Sequence, residues 1–248
     1  MTLSPEDKLA QFLLQARDHR EIIGVFLSGS RGKGFEVATS DYDVFVVTTT
    51  PNSLKLSQHD PPFEWLVTNI EAFREHAEWG TQTAWDRYSF AHVKVLLDKT
   101  GEIQKLVSSK GAVPDEQRLA HVYESLDSYL NSLYRSLKCH QRKEVLGCLL
   151  EANSSLPFAL DVIFGLEKRH KPFMGYLRLE LEKYPLVQLS LSTSWLLETI
   201  EAISRNSNLV AQKALFQAIE ELTFTEFSAV FLGWGEAYPW IKEYLLVQ

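Results

Sequence analysis

The stretch from Ile22 to Val47 restricts this chain more than any other. An apolar run, Ile22-Ile23-Gly24-Val25-Phe26-Leu27, ends in Ser28-Gly29-Ser30, and a basic glycine-rich turn follows, Arg31-Gly32-Lys33-Gly34-Phe35. Ser40-Asp41-Tyr42-Asp43 then opens a second apolar run, Val44-Phe45-Val46-Val47. Two short apolar runs bounded by turn residues predict two strands. Side chains alternate across a strand, so an extended second run sends Asp41 and Asp43 to the same side. Two carboxylates on one edge supply the hard oxygens that Mg²⁺ takes, and that ion keeps positions for water and phosphate oxygens. A turn whose amides converge at a helix start, here Gly29 to Lys33, favours an anion. Gly29, Gly32 and Gly34 let backbone come close to a ligand, and Ser30, Arg31 and Lys33 add a hydroxyl and two cations. Either half alone has an ordinary explanation, a surface turn or an N-capping acid pair. Their succession points to a triphosphate at one end and a metal at the other.

These residues resemble the signature of the polymerase-β-type nucleotidyltransferase superfamily, in which a Gly-Ser turn precedes an Asp-x-Asp strand. The short chain with a helical second half looks most like the aminoglycoside and lincosamide nucleotidyltransferases and their uncharacterised bacterial relatives. The resemblance implies an α+β fold: a nucleotidyltransferase domain with a short mixed sheet, residues 1–110, followed by an all-α helical bundle that binds the acceptor, residues 111–248. It implies transfer of a nucleoside monophosphate from a nucleoside triphosphate, ATP by first choice, to a hydroxyl of a small-molecule acceptor, with Mg²⁺ as cofactor, pyrophosphate as product and antibiotic resistance as a setting. Catalysis would then rest on positioning and charge stabilisation.

The same resemblance assigns roles. Asp41 and Asp43 become metal ligands, and Glu64 on a later strand is the position that fits the family's third carboxylate. Gly29, Ser30, Arg31, Lys33 and Ser40 fall on the nucleotide side. Two-domain members draw a general base from the helical domain. Glu144 and Glu151, two helical turns apart, are the candidates. Glu151 is preferred, because apolar neighbours Leu149, Leu150 and Ala152 would raise its pKa. Related enzymes dimerise across such a cleft, so a homodimer is among the expectations. Two other readings are open: a minimal transferase that modifies a protein or RNA partner, of the toxin–antitoxin kind, and a non-catalytic nucleotide-binding regulator.

Composition sets outer bounds. The net charge of −7 argues against a chain built to grip long nucleic acid and suits a small cationic acceptor. With 45% apolar residues, among them 14 Phe, 9 Tyr and 6 Trp, the 248-residue chain can fill one or two cores. Cys139 and Cys148 are too few for a disulfide framework and lack zinc spacing. A polar start, Met1-Thr2-Leu3-Ser4-Pro5-Glu6-Asp7, and no run read as long enough to span a bilayer give a cytoplasmic expectation with no membrane partner.

Along the chain, Ser4-Pro5 starts a helix to about Asp18. Thr49 to Pro62 reads as a loop, Phe63 to Thr68 as a strand, Asn69 to Trp79 as a helix and Phe90 to Asp98 as a strand closed by a Lys99–Glu102 turn. His92 reads as a core histidine, and Asp86 and Arg87 have no assigned role. Ser108-Ser109-Lys110-Gly111 reads as a linker. From Pro114 onward the pattern is helical: a long helix through Leu137, another from near Arg142 with Pro157 as a kink or boundary, then helices at about 173–183, 193–205, 209–222 and 224–246.

Overall fold

The computed structural model describes residues 3–51, 54, 56 and 59–247. The chain divides into two compact units, Met1–Ala112 and Val113–Gln248.

The first unit is a five-stranded mixed sheet with helices on both faces. Helix α1 (Pro5–Asp18) is capped by Ser4, whose side chain accepts from the Asp7 amide, and has proline in its first turn. Strand β1 (Ile22–Leu27) leads into a short helix, α2 (Gly29–Lys33), and β2 (Tyr42–Thr48) returns antiparallel to β1 with Leu27 opposite Val44. A two-residue strand, β3 (His59–Asp60), pairs antiparallel with β4 (Phe63–Asn69), and β4 runs parallel to β2. Helix α3 (Ile70–Glu75) follows, then a 3₁₀ segment (Ala84–Phe90), β5 (Lys94–Asp98) antiparallel to β1, and α4 (Glu102–Lys110). The sheet order is β3-β4-β2-β1-β5.

Alternation along the strands gives the sheet two different faces. Val25, Leu27, Val44, Val46, Phe63 and Trp65 pack with Leu9, Phe12, Leu13 and Ala16 of α1. Phe26, Phe45 and Val47 face the other way, onto Phe73 of α3, Phe90, and Ile103 and Val107 of α4. Burying a side chain such as Phe26 or Phe73 contributes about 1.5–3 kcal/mol each, and both are essentially inaccessible.

The second unit is helical: α5 (Asp115–Gln141), α6 (Val145–Leu166), a 3₁₀ turn (Met174–Tyr176), α7 (Leu177–Lys183), α8 (Thr193–Asn206), α9 (Leu209–Gly233) and α10 (Ala237–Val247). Its core runs from Val122, Leu126 and Leu130 on α5 through Leu160 and Ile163 on α6 to Leu215, Phe231 and Ile241. An α+β unit followed by a helical one agrees with the fold class expected from sequence.

Several boundaries differ from the sequence expectation. Helix α3 ends at Glu75, because His76 is extended and Ala77 takes φ 57. Ala84–Phe90 is a 3₁₀ segment, and the strand after it begins only at Lys94, past His92 with φ 59. Part of the expected loop from Thr49 to Pro62 pairs as β3; residues 52, 53, 55, 57 and 58 lie outside the described set. The 108–111 segment is no linker. Its residues through Lys110 finish α4, and Lys110 is fully buried, donating to the Arg74 and His76 carbonyls and pairing with Glu78 at 2.6 Å. Pro157 lies inside α6 without ending it. The expected last two helices redistribute: α9 continues through a non-helical Phe227 (φ −120, ψ 24) to Gly233, and α10 starts at Ala237. Helix α6 also overturns the reading that no segment is long enough to cross a bilayer: it is long and apolar enough by length and composition, with half of its apolar window buried inside the protein. Its scattered polar residues, Asn153 and Asp161 among them, had broken the apolar run in sequence.

Candidate active site

Three carboxylates come together at the start of β2 and β4. Parallel pairing sets Asp43 opposite Glu64, and Asp41 lies two residues before Asp43. One ligand oxygen from each of Asp41, Asp43 and Glu64 lies within 4.8 Å of the others, close enough to hold one cation. Asp41 and Glu64 are exposed and Asp43 is half-buried. The Asp43 carboxyl is pushed above the usual carboxylate range by burial first, then by the negative charges of Asp41 and Glu64, with Lys33 pulling the other way. This donor set fits a hard divalent cation such as Mg²⁺: all ligands are carboxylate oxygens, and their mutual repulsion is the strain that such a charge relieves.

The Gly29 turn abuts these acids. Gly29 has φ +58, and a Cβ there would lie 1.6 Å from Asp43 Oδ2 and 2.7 Å from its Cγ. Only glycine lets the Asp43 carboxylate occupy that space. At Gly32 a Cβ would lie 2.2 Å from the Leu27 carbonyl oxygen, which seats α2 on the end of β1. Ser28 precedes α2, but its hydroxyl donates to the Ser89 carbonyl at 2.8 Å and does not cap the helix.

Of the two cations of the turn, Lys33 does not do what the sequence suggested. Lys33 is 1% exposed, and its Nζ donates to the carbonyls of Tyr88 (3.1 Å), Ser89 (3.1 Å) and Ala91 (2.8 Å). A four-carbon stem on the inner side of so short a helix reaches the sheet interior, where three carbonyls compensate its charge. Arg31 braces the strand entrance: Nε donates to the carbonyls of Ser40 (3.1 Å) and Asp41 (3.0 Å), and its guanidinium lies 3.9 Å from the Tyr42 ring centroid. Ser40 is engaged too, its hydroxyl accepting from the Val37 amide at 2.9 Å. Of the five residues read as nucleotide contacts, Gly29 and Ser30 lie at the turn, Arg31 and Ser40 shape the approach to Asp41, and Lys33 is structural. Lys33→Met is expected to cost about 2 kcal/mol of stability, since buried carbonyls lose a charged donor; urea unfolding reads it, and an unchanged midpoint would contradict the role.

In the helical unit, Glu151 does not sit in an apolar environment. Its carboxylate pairs with Arg135 of α5 at 2.6 Å, because Arg135 reaches it from the long neighbouring helix. Glu144 is not on the same helix face but is the N-cap of α6, its side chain accepting from the Gly147 amide. Sequence reading gave no role to Ser28, Ser89, His76 or Asp86. Only Ser28, adjacent to Gly29, carried a local hint; Asp86 and Ser89 reach this part of the fold through the 3₁₀ segment, which has no sequence period, and His76 through the end of α3.

No protein-family model matches this chain, and no curated protein does. Among solved structures, it is similar to a nucleotidyltransferase-like protein from Exiguobacterium sibiricum 255-15, with a TM-score of 0.44 and 10% identity over 98% of this chain and 78% of that one.

Proposed function

We propose that this protein transfers a nucleoside monophosphate from a nucleoside triphosphate to a hydroxyl of a small-molecule acceptor, releasing pyrophosphate. The observation that carries the reading is the meeting of Asp41, Asp43 and Glu64 within 4.8 Å. It is supported by the glycine that lets Asp43 lie against the Gly29 turn. In this reading Asp41, Asp43 and Glu64 hold Mg²⁺, which when bound neutralises charge on the triphosphate. The Gly29–Ser30 backbone approaches the phosphates, while Arg31 fixes the segment that presents Asp41. Residues 1–110 then carry the nucleotide chemistry and the helical region recognises the acceptor. ATP is the first nucleotide to test, and antibiotics of the aminoglycoside and lincosamide kinds are the first acceptors, with resistance as the setting.

The test is binding and turnover of ATP, GTP, CTP and UTP with and without Mg²⁺, followed by release of labelled pyrophosphate in the presence of acceptors. Magnesium-dependent binding of at least one nucleotide and acceptor-stimulated pyrophosphate release are expected. Binding of none of the four would sink the reading.

A further inference from the structure

The face of the sheet that bears the carboxylates continues into a cavity. Asp43 and Phe45 share one side of β2, and the register sets Asp43 opposite Glu64 and Phe45 opposite Leu66. The second pair therefore lies about 6.5–7 Å along the strands from the first. A cavity of about 440 Å³ opens there, lined by Phe45, Leu66, Thr68, Phe73, His76 and Asp86 among others. Its floor is apolar and well supported, the Phe45 ring stacking on Phe26 at 4.6 Å. One ionisable pair stands in its wall.

That pair is a carboxylate and an imidazole. His76 Nε2 and Asp86 Oδ2 are 2.8 Å apart. An ionised carboxylate can only accept, so Nε2 is the donor to Asp86, and in the neutral imidazole Nδ1 then keeps a lone pair. Among the described residues, none hydrogen-bonds Nδ1. The pair is also tied to the Gly29 turn. Asp86 accepts from the Ser89 hydroxyl, and the Ser89 carbonyl accepts from Ser28 Oγ and Lys33 Nζ. The charged groups around His76 include Asp86 and Arg87 on the 3₁₀ segment, the latter donating to the Ala77 carbonyl at 2.7 Å, and Lys110 on α4, which donates to the His76 carbonyl at 2.6 Å and is itself paired with Glu78; the Phe90 ring meets the imidazole edge-on.

We infer that this cavity receives the hydroxyl-bearing end of the acceptor, and that His76, oriented by Asp86, takes the proton from that hydroxyl. The inference rests on the nucleotidyltransferase reading, adds to it a proton acceptor, and narrows its acceptors away from the polycationic aminoglycosides. The acceptor O–H bond breaks with its proton going to Nδ1, the oxygen bonds to the α-phosphorus of the nucleotide, and the bond from that phosphorus to the bridging oxygen breaks, so pyrophosphate leaves. His76 then returns its proton to solvent. The floor is apolar and Asp86, the carboxylate in the wall, is already paired, so the cavity suits an uncharged acceptor with an apolar or aromatic body better than a polycation.

The experiment compares wild type, His76→Gln and Asp86→Asn in two measurements. The first is calorimetric binding of ATP with Mg²⁺, expected to be equal in all three. The second is pyrophosphate release from ATP with benzyl alcohol or kanamycin as acceptor probe, across pH. Wild type should prefer benzyl alcohol and gain rate with rising pH. His76→Gln should lose about a hundredfold in rate, together with that pH limb, and Asp86→Asn should lose less. An unchanged rate and pH profile in His76→Gln, a preference for kanamycin, or ATP binding without release on benzyl alcohol would each overturn this inference alone. Absence of magnesium-dependent binding of all four nucleotides by the wild type overturns the nucleotidyltransferase reading beneath it.

Discussion

Asp43→Asn is expected to reduce nucleotidyl transfer by about a thousandfold, the equivalent of about 4 kcal/mol of transition-state stabilisation, while leaving the fold intact. Asp43 lies in a cluster of three acids, half-buried, with its carboxyl raised by burial and by Asp41 and Glu64. The sign for stability follows. A carboxyl whose folded pKa lies above its unfolded value binds its proton more tightly when folded, so its contribution favours folding at low pH. That contribution fades as pH rises from the ordinary carboxylate range through the raised value. At neutral pH the ionised group costs stability, and the neutral amide removes that cost. The melting temperature of Asp43→Asn without metal should therefore equal or exceed that of wild type. Mg²⁺ at a hundred times its dissociation constant should stabilise the wild type by about 2.7 kcal/mol through linkage, raising its melting temperature, and do far less for the variant. Scanning calorimetry with and without Mg²⁺ checks both; a variant that melts lower and still responds fully to Mg²⁺ would contradict the metal assignment.

Gly29→Ala is expected to disable the site from the other side. The residue holds φ +58, where a Cβ costs about 1–2 kcal/mol, and that Cβ would fall 1.6 Å from Asp43 Oδ2. Either the turn or the carboxylate must move, so stability should drop by about 2–4 kcal/mol and transfer should approach the Asp43→Asn level. Gly80→Ala is the control, with φ +77 and nothing within 4 Å of the added carbon, so it bears only the backbone strain. A double variant, Gly29→Ala with Asp43→Gly, should recover part of the lost stability without recovering activity, because the two changes share one space. Urea unfolding of the four proteins decides it, and equal costs at Gly29 and Gly80 would refute the steric account.

The strands and the carboxylates were legible because both depend on local pattern. The apolar runs at Ile22–Leu27 and Val44–Thr48 and the period-2 spacing of Asp41 and Asp43 are written in neighbouring residues, whereas Glu64 was picked out by the family resemblance. What the basic residues of the turn do could not be read that way. Whether Lys33 faces a ligand or the interior depends on which side of a five-residue helix meets the sheet, and on carbonyls 55 to 58 positions away. The pairing of His76 with Asp86 escaped notice for the same reason. Their partnership spans ten residues without a repeating pattern, through a segment where Ala77 takes a positive φ. Arg135 likewise changes the surroundings of Glu151 from another helix.

The buried ammonium of Lys33 makes the motif non-portable. The piece from Ile22 to Thr48 looks like a cassette that could be lifted onto another sheet with its glycine turn and its two aspartates. On a new scaffold, Lys33 would enter an apolar interior with no Tyr88, Ser89 and Ala91 carbonyls to receive it, and the charge would drag α2 outward toward water. A designer who wishes to transplant the turn must therefore carry the 84–91 segment with it, or replace Lys33 by an apolar residue and close the gap left where the carbonyls stood.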